Sequence, residues 1–200
     1  MTLKKFLEME ELYQSGKTYS LQWRLTQLQI LRELLTDNAD ELLNALKVDL
    51  NKSSSEGIIT EINIIITEID FISQNLESWI TPKQVPSPAL MTPCFSEIRH
   101  EPIGVCLIIG SCNYPVNLTL LPTVGSLASG NPTVVKPSEL CKETSKVLFK
   151  LVHKYFDTAV LQVVEGEIPE TTMLLKKTWG TILFTGKYHY TVTSYFSFIN

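Results

Sequence analysis

The stretch EPIGVCLIIGSCNYPVNLTLLPTVGSLASGNPTVVKPSEL, residues 101–140, decides how the chain is read. It contains a short continuous apolar run, Val105 to Gly110, that ends on glycine. A helical stretch follows Pro115 and is stopped by Gly130. A second short run, PTVVKP, comes next. Runs this short and this uniformly apolar predict strands buried on both faces. Such strands alternating with helices predict βαβ units and a parallel sheet.

The pattern continues toward the C-terminus. SELCKETSKVLFKLVHKYF predicts an amphipathic helix with Ser138 as its cap. AVLQVVEG is a third run, PETTMLLKKTW a helix with Pro169 in its first turn, and TILFTG a fourth run. Strand and helix units in this order predict an open, doubly wound α/β domain of Rossmann-like type with right-handed crossovers.

Toward the N-terminus the period changes. FSEIRHEP alternates like a strand. Pro82, Pro86, Pro88 and Pro93 mark an extended connector, because proline at that density rules out helix. Before it, Ile58, Ile62, Ile65, Ile69, Ile72, Leu76 and Trp79 fall at steps of three and four, the stripe of a long helix with one buried face. NKSSSEG reads as a polar break ahead of it. Leu42, Leu43, Leu46 and Leu50 predict an earlier helix capped by Asp37 or Asn38. Leu21, Leu25, Leu28, Leu31 and Leu35 predict another. The fold class expected is α/β, N-terminal helices followed by an incomplete Rossmann-like sheet. The division expected is a helical part over 1–81, a proline-rich connector and strand over 82–100, a strand-and-helix part over 101–186 and a tail over 187–200.

Composition narrows the function. At 44% apolar residues the chain has ample material for a core. A net charge of −4, with only short basic pairs such as Lys4-Lys5 and Lys176-Lys177, gives no footprint for nucleic acid. The N-terminus mixes charge into every turn and shows no signal peptide. The most apolar stretch, GIITEINIIITEIDFI, is interrupted by Glu61, Asn63, Glu68 and Asp70, so a transmembrane segment is not expected. Cys94, Cys106, Cys112 and Cys141 form no C-x-x-C pair, and no zinc site is expected. Free thiols and no leader predict a reducing, cytoplasmic setting. Cys106 reads as core and Cys112 as a small turn residue. His100, His153 and His189 lack the spacing of a catalytic constellation.

Ligands of open α/β sheets bind past the carboxyl ends of the strands. The turns there are Gly110 to Pro115, Lys136 to Glu139, Glu165 to Glu167, and Thr185-Gly186. Asn113 has two readings: a side-chain amide donating to an oxyanion, or plain turn chemistry beside Pro115. Lys136 can reach ribose or phosphate oxygens. Glu139 can accept from ribose hydroxyls, or simply sit well at a helix start.

Those residues carry a resemblance. The quoted stretch is similar to the cofactor domain of class 3 aldehyde dehydrogenases, whose pattern runs E-P-x-G-V, W-N-Y-P-x-N-L, A-x-G-N and K-P-S-E. VVEGEIPETTMLL, ILFTG, the upstream TEI and the Trp79 segment continue it. The resemblance implies NAD(P)-dependent oxidation of aldehydes to carboxylic acids, with NAD or NADP as cofactor and a small aldehyde as substrate. It assigns Asn113 to the oxyanion site, Lys136 and Glu139 to the adenosine ribose, and Gly166 to a place beside the adenosine. Gly186 matches the first glycine of a pyrophosphate loop. Cys112 departs from the family tryptophan and Glu167 from a second glycine. From Lys187 the chain leaves the pattern, and the family's catalytic cysteine and glutamate have no counterpart in it. The expectation is a truncated fragment, inactive alone, with weak nucleotide binding or an interaction with an aldehyde dehydrogenase subunit as alternatives.

Overall fold

The structure, a computed structural model, describes residues 3–91 and 93–186; the expected tail, 187–200, lies outside the described residues. Apolar side chains at helical spacing build the N-terminal layer. It comprises α1 (Leu3–Gln14), α2 (Leu21–Asp37), α3 (Ala39–Leu50), α4 (Ser54–Gly57) and α5 (Ile64–Ile80), with a π-helical turn at Ile58–Asn63 joining the last two. The isoleucine stripe is buried at Ile62, Ile65, Ile69 and Ile72. Isoleucine gives up less than about 0.7 kcal/mol of helix propensity per residue. Burying its side chain contributes about 2 kcal/mol, so packing decides for helix.

The polar break is shorter than its composition suggests. The Ser53 hydroxyl accepts from Glu56 N–H at 3.2 Å and starts α4 at Ser54. Asn38 stands at the start of α3, but its side chain makes no cap bond there. It donates to Leu34 O and to the Tyr155 hydroxyl.

The proline-rich connector contains β1 (Lys83–Val85) and β2 (Ser96–Ile98), paired antiparallel, and one 3-10 turn at Ala89–Met91. Beyond it lie β3 (Cys106–Ile109), α6 (Asn117–Ala128), β4 (Thr133–Lys136), α7 (Lys142–Tyr155), β5 (Leu161–Val163), α8 (Ile168–Leu175) and β6 (Thr181–Phe184). The sheet is parallel in the order β5-β4-β3-β6. Strand direction reverses its sequence of addition at β3, which places the topological switch between β3 and β6.

Period-two alternation distributes the strand side chains. Ile108, Val135, Leu161 and Val163 join a core with α2, α3, α5, α6 and α7. Leu107, Ile109 and Val134 join a second core with Phe6 and Met9 of α1, Leu174 and Leu175 of α8, and Trp179. The helical N-terminus therefore serves both faces. Phe6 meets Trp179 edge-on at 5.1 Å, and Trp179 Nε1 donates to Leu174 O.

Two expectations need correction. The fourth run is not buried on both faces. Among the described residues β6 is an edge strand, and its Leu183 is 41% exposed. Ser138 does not cap α7, which starts four residues later at Lys142. Its hydroxyl instead accepts from Leu140 N–H within a tight turn. The first turn of α7 is closed from a distance: Glu143 N–H and Thr144 N–H donate to the Asp49 carboxylate at 3.2 and 2.7 Å.

Candidate functional site

Because the four strands are parallel, the turns that follow them share one edge of the sheet. Gly110 N–H donates to Lys136 O, and Cys141 Sγ donates to Cys112 O, so the first two turns are stitched together.

Lys136 ends β4 and its side chain is buried, at 1% exposure. A buried ammonium needs acceptors. It has two: Pro137 O at 3.0 Å and Glu139 Oε2 at 2.7 Å. Burial pushes the Glu139 carboxyl up, but the hydrogen bonds and charge of Lys136 outweigh this and hold it below its ordinary value. Glu139, Lys142, Ser145, Lys146, Glu165, Gly166 and Glu167 line a cleft of about 190 Å³. Gly166 sits at φ +142, where side chains are rarely tolerated, and a Cβ there would meet Glu170 Cγ at 2.3 Å. The Glu170 carboxylate accepts from Glu167 N–H at 2.8 Å as part of a capping box on α8.

This cleft suits a hydroxyl-bearing sugar. Glu139 supplies an acceptor and Gly166 room for close approach, while Lys136, buried behind the lining, holds Glu139 in place. It suits a phosphate less well, because side-chain carboxylates already occupy the helix starts around it. Asp49 closes α7, and Glu167 with Glu170 closes α8. Glu61, on the π-helical turn, closes α6 by accepting from Val116 N–H and Asn117 N–H at 3.1 and 2.9 Å. Phosphate groups commonly bind at such amides when they are free.

Asn113 stands apart from the cleft, exposed on the turn after β3. Its Oδ1 accepts from the Ser111 hydroxyl at 2.9 Å, which leaves the Nδ2 hydrogens with no protein acceptor among the described residues. An amide oriented this way can donate to an incoming oxygen. Gly186 follows β6, across β3 from the cleft, and does not line it. Its environment is the Phe184 ring, 2.4 Å from where a Cβ would stand. The structure thus brings Lys136, Glu139 and Gly166 together and leaves Asn113 and Gly186 on separate turns.

Neither buried thiol is an activated nucleophile. Burial pushes Cys106 up. Burial, with the nearby Asp49 carboxylate, pushes Cys141 up to about 12. A nucleophilic cysteine needs the opposite shift.

Sequence reasoning missed Lys52, Glu61 and Asp49. Lys52 lay in the stretch read as a polar break, yet it is 8% exposed. Glu61, read as a polar interruption, is fully buried. Spacing alone carries no sign of their roles: Lys52 and Glu61 pair across nine residues, and the backbone groups they and Asp49 bind lie 55 to 95 residues away.

A larger cavity of about 470 Å³ lies against α2, α5 and the end of α6, away from these residues. Arg24 lines it, but its guanidinium already donates to Thr18 O and Ala128 O, at the carbonyl end of α6 where a cation is favoured. Among the described residues no helix is long and apolar enough to cross a membrane, and no group of three potential metal ligands occurs.

The chain as a whole is similar to known proteins. A family model described as "Aldehyde dehydrogenase family" matches residues 8–191. Aldehyde dehydrogenase family 3 member B1 of Mus musculus is 43% identical over 183 residues, covering 91% of this chain and 39% of that protein. An aldehyde dehydrogenase of Craterostigma plantagineum is 40% identical over 174 residues, covering 87% of this chain and 36% of that protein. The substrate-bound structure of Staphylococcus aureus AldH superposes with a TM-score of 0.94 at 32% identity. It covers 98% of this chain and 43% of that one. The chain therefore spans less than two-fifths of the length of the two curated relatives.

Proposed function

The chain belongs to the aldehyde dehydrogenase family, and on that premise we propose that it forms the adenosine-binding side of an NAD(P)-dependent aldehyde oxidation. The observation that carries this reading is the buried Lys136 paired to Glu139 at the mouth of a cleft that Gly166 helps to line. Lys136 and Glu139 hold the ribose hydroxyls, and Gly166 lets the adenosine approach the backbone. Gly186 opens the turn that meets the pyrophosphate. Asn113 offers its amide to the oxygen on which negative charge develops. NAD or NADP, when bound, accepts the hydride of the oxidation.

Residues 1–81 support the nucleotide-binding part over 101–186, and 82–100 connect them. In this reading the 200 residues by themselves do not oxidise aldehydes, because the motifs of the family's catalytic cysteine and glutamate have no counterpart in them. The cytoplasm, which keeps thiols reduced, is the setting proposed.

Calorimetric titration of the purified chain with adenosine, AMP and NAD tests the cleft. Weak binding of all three, abolished in Lys136→Met, is expected. No heat with any of them removes the adenosine reading. For Asn113, titrating acetate while following its side-chain amide by NMR is the test; an amide that does not respond removes the oxyanion role. NADPH or NADH formation from the chain and an aldehyde would refute the proposed inactivity.

A second reading rests on β6. Its half-exposed edge, with Leu183 outward, can pair with another chain. An aldehyde dehydrogenase subunit is the partner this suggests. Failure to co-purify with a full-length family 3 subunit would count against it.

A further inference from the structure

Asn113 is exposed on its turn, yet its backbone is tied to a buried ion pair in the helical layer. Lys52 Nζ donates to the Asn113 carbonyl at 2.9 Å and to Glu61 Oε1 at 2.5 Å. The same ammonium lies 3.9 Å from the centre of the Tyr114 ring. The second oxygen of Glu61 accepts from Val116 N–H and Asn117 N–H. Asn117 Nδ2 in turn donates to Thr60 O at 2.9 Å. One ion pair thus grips the turn before Pro115, through the Asn113 carbonyl, and after it, through the two amides.

We propose that Lys52 and Glu61 are positioning residues for Asn113, fixing where its amide stands relative to the sheet edge and the start of α6. The inference rests on the reading of Asn113 as an oxyanion donor. Packing alone does not account for the pair, because apolar side chains of similar volume generally fill such a space with no loss of stability. What the charged pair adds is direction. It supplies a donor to one carbonyl and an acceptor to two amides, all within the five residues that carry Asn113 into α6. Glu61 also sits on the π-helical turn, an irregularity that proteins keep mostly at functional sites.

The test follows the Asn113 side-chain amide in the 15N-labelled 200-residue chain, with its two proton resonances assigned by their loss in Asn113→Asp. Lys52→Met should move both resonances toward those of a free amide. It should also loosen the side chain, read as a lower 15N heteronuclear NOE at Nδ2. Lys52→Arg, which keeps the charge and N–H donors, should restore them. Ile65→Ala removes core volume from the same helical run; it should lower the melting temperature and leave the resonances in place. The proposal is overturned if Lys52→Met leaves the amide unmoved, or if Ile65→Ala displaces it as far. Should Lys52→Met fail to fold, Glu61→Gln decides. It keeps an oxygen for the amides of α6 but no charge to hold Lys52, and an unmoved Asn113 amide in that variant overturns the proposal. No ligand is present in this experiment, so its outcome is separate from the acetate titration that tests the oxyanion role.

Discussion

Asp49 Oδ2 accepts a 2.7 Å hydrogen bond from Thr144 N–H across 95 residues of sequence. It joins the last turn of α3 to the first turn of α7 and closes a helix that has no side-chain cap of its own. The helical layer and the α/β part are therefore locked by polar contacts as well as by a shared apolar core.

Removing that remote cap should be felt as the loss of an ordinary one. Asp49→Ala is expected to cost about 1–2 kcal/mol, read as a lower midpoint in urea unfolding. Asp49→Asn, which still offers one acceptor, should lose less. Equal stability of Asp49→Ala and the parent would show that water replaces the carboxylate at no cost.

The Lys136–Glu139 pair gives a pH dependence of definite sign. Glu139 is held below its ordinary carboxyl value in the folded chain. Its contribution is therefore present above the unfolded value, near 4.5, and is lost as pH falls through the lower folded value. Glu139 is partly solvated, so screening limits the effect to about 0.5 kcal/mol or less. The melting difference between the parent and Glu139→Gln should be largest at neutral pH and vanish in acid. A difference that grows in acid would contradict the assignment.

Gly166→Ala should destabilise by about 1–3 kcal/mol. The backbone angle of +142° is costly for alanine, and the new Cβ displaces the Glu170 carboxylate from Glu167 N–H. Chemical denaturation of the variant measures this. An unchanged midpoint would mean that the turn relaxes freely.

Thiol labelling should divide the cysteines by burial. Cys106 and Cys141 are buried, while Cys94 and Cys112 are partly accessible. In the folded chain a maleimide should modify Cys94 and Cys112 quickly and the buried pair only on unfolding. Mass spectrometry of the peptides checks this, and rapid labelling of Cys141 would exclude the packing described for it.

Replacing Phe6 by alanine should cost about 3–5 kcal/mol, because its ring packs on Trp179 within the second core. Trp179 fluorescence during thermal unfolding reads the loss directly. A small effect would show that α1 is dispensable for that face of the sheet.

Residues 101–186 announced their strands plainly. Val105 to Gly110 and PTVVKP are short apolar runs punctuated by glycine and proline, and the chain folds them as β3 and β4. The isoleucine stripe announced α5 in the same way. Local signals failed where the deciding partner was remote. Ser138 has the chemistry of a cap, but Asp49 takes that place on α7. The α1 segment mixes charge into every turn, which hides its apolar side, yet Phe6 and Met9 are buried because the second face of the sheet receives them.

The sequence by itself determined the family, the order of strands and helices, and the residues at the strand ends. These follow from period, turn chemistry and motif spacing, all of which are local. Only the tertiary structure decided that Glu139 and Gly166 share one cleft, with Lys136 buried behind Glu139, while Gly186 lies across β3 from it. It alone turned Lys52 and Glu61 from surface-like charges into a buried pair gripping the Asn113 turn. The physical reason is that a charge's role depends on what desolvates it and what it can bond. Those neighbours come from parts of the chain that only folding brings together.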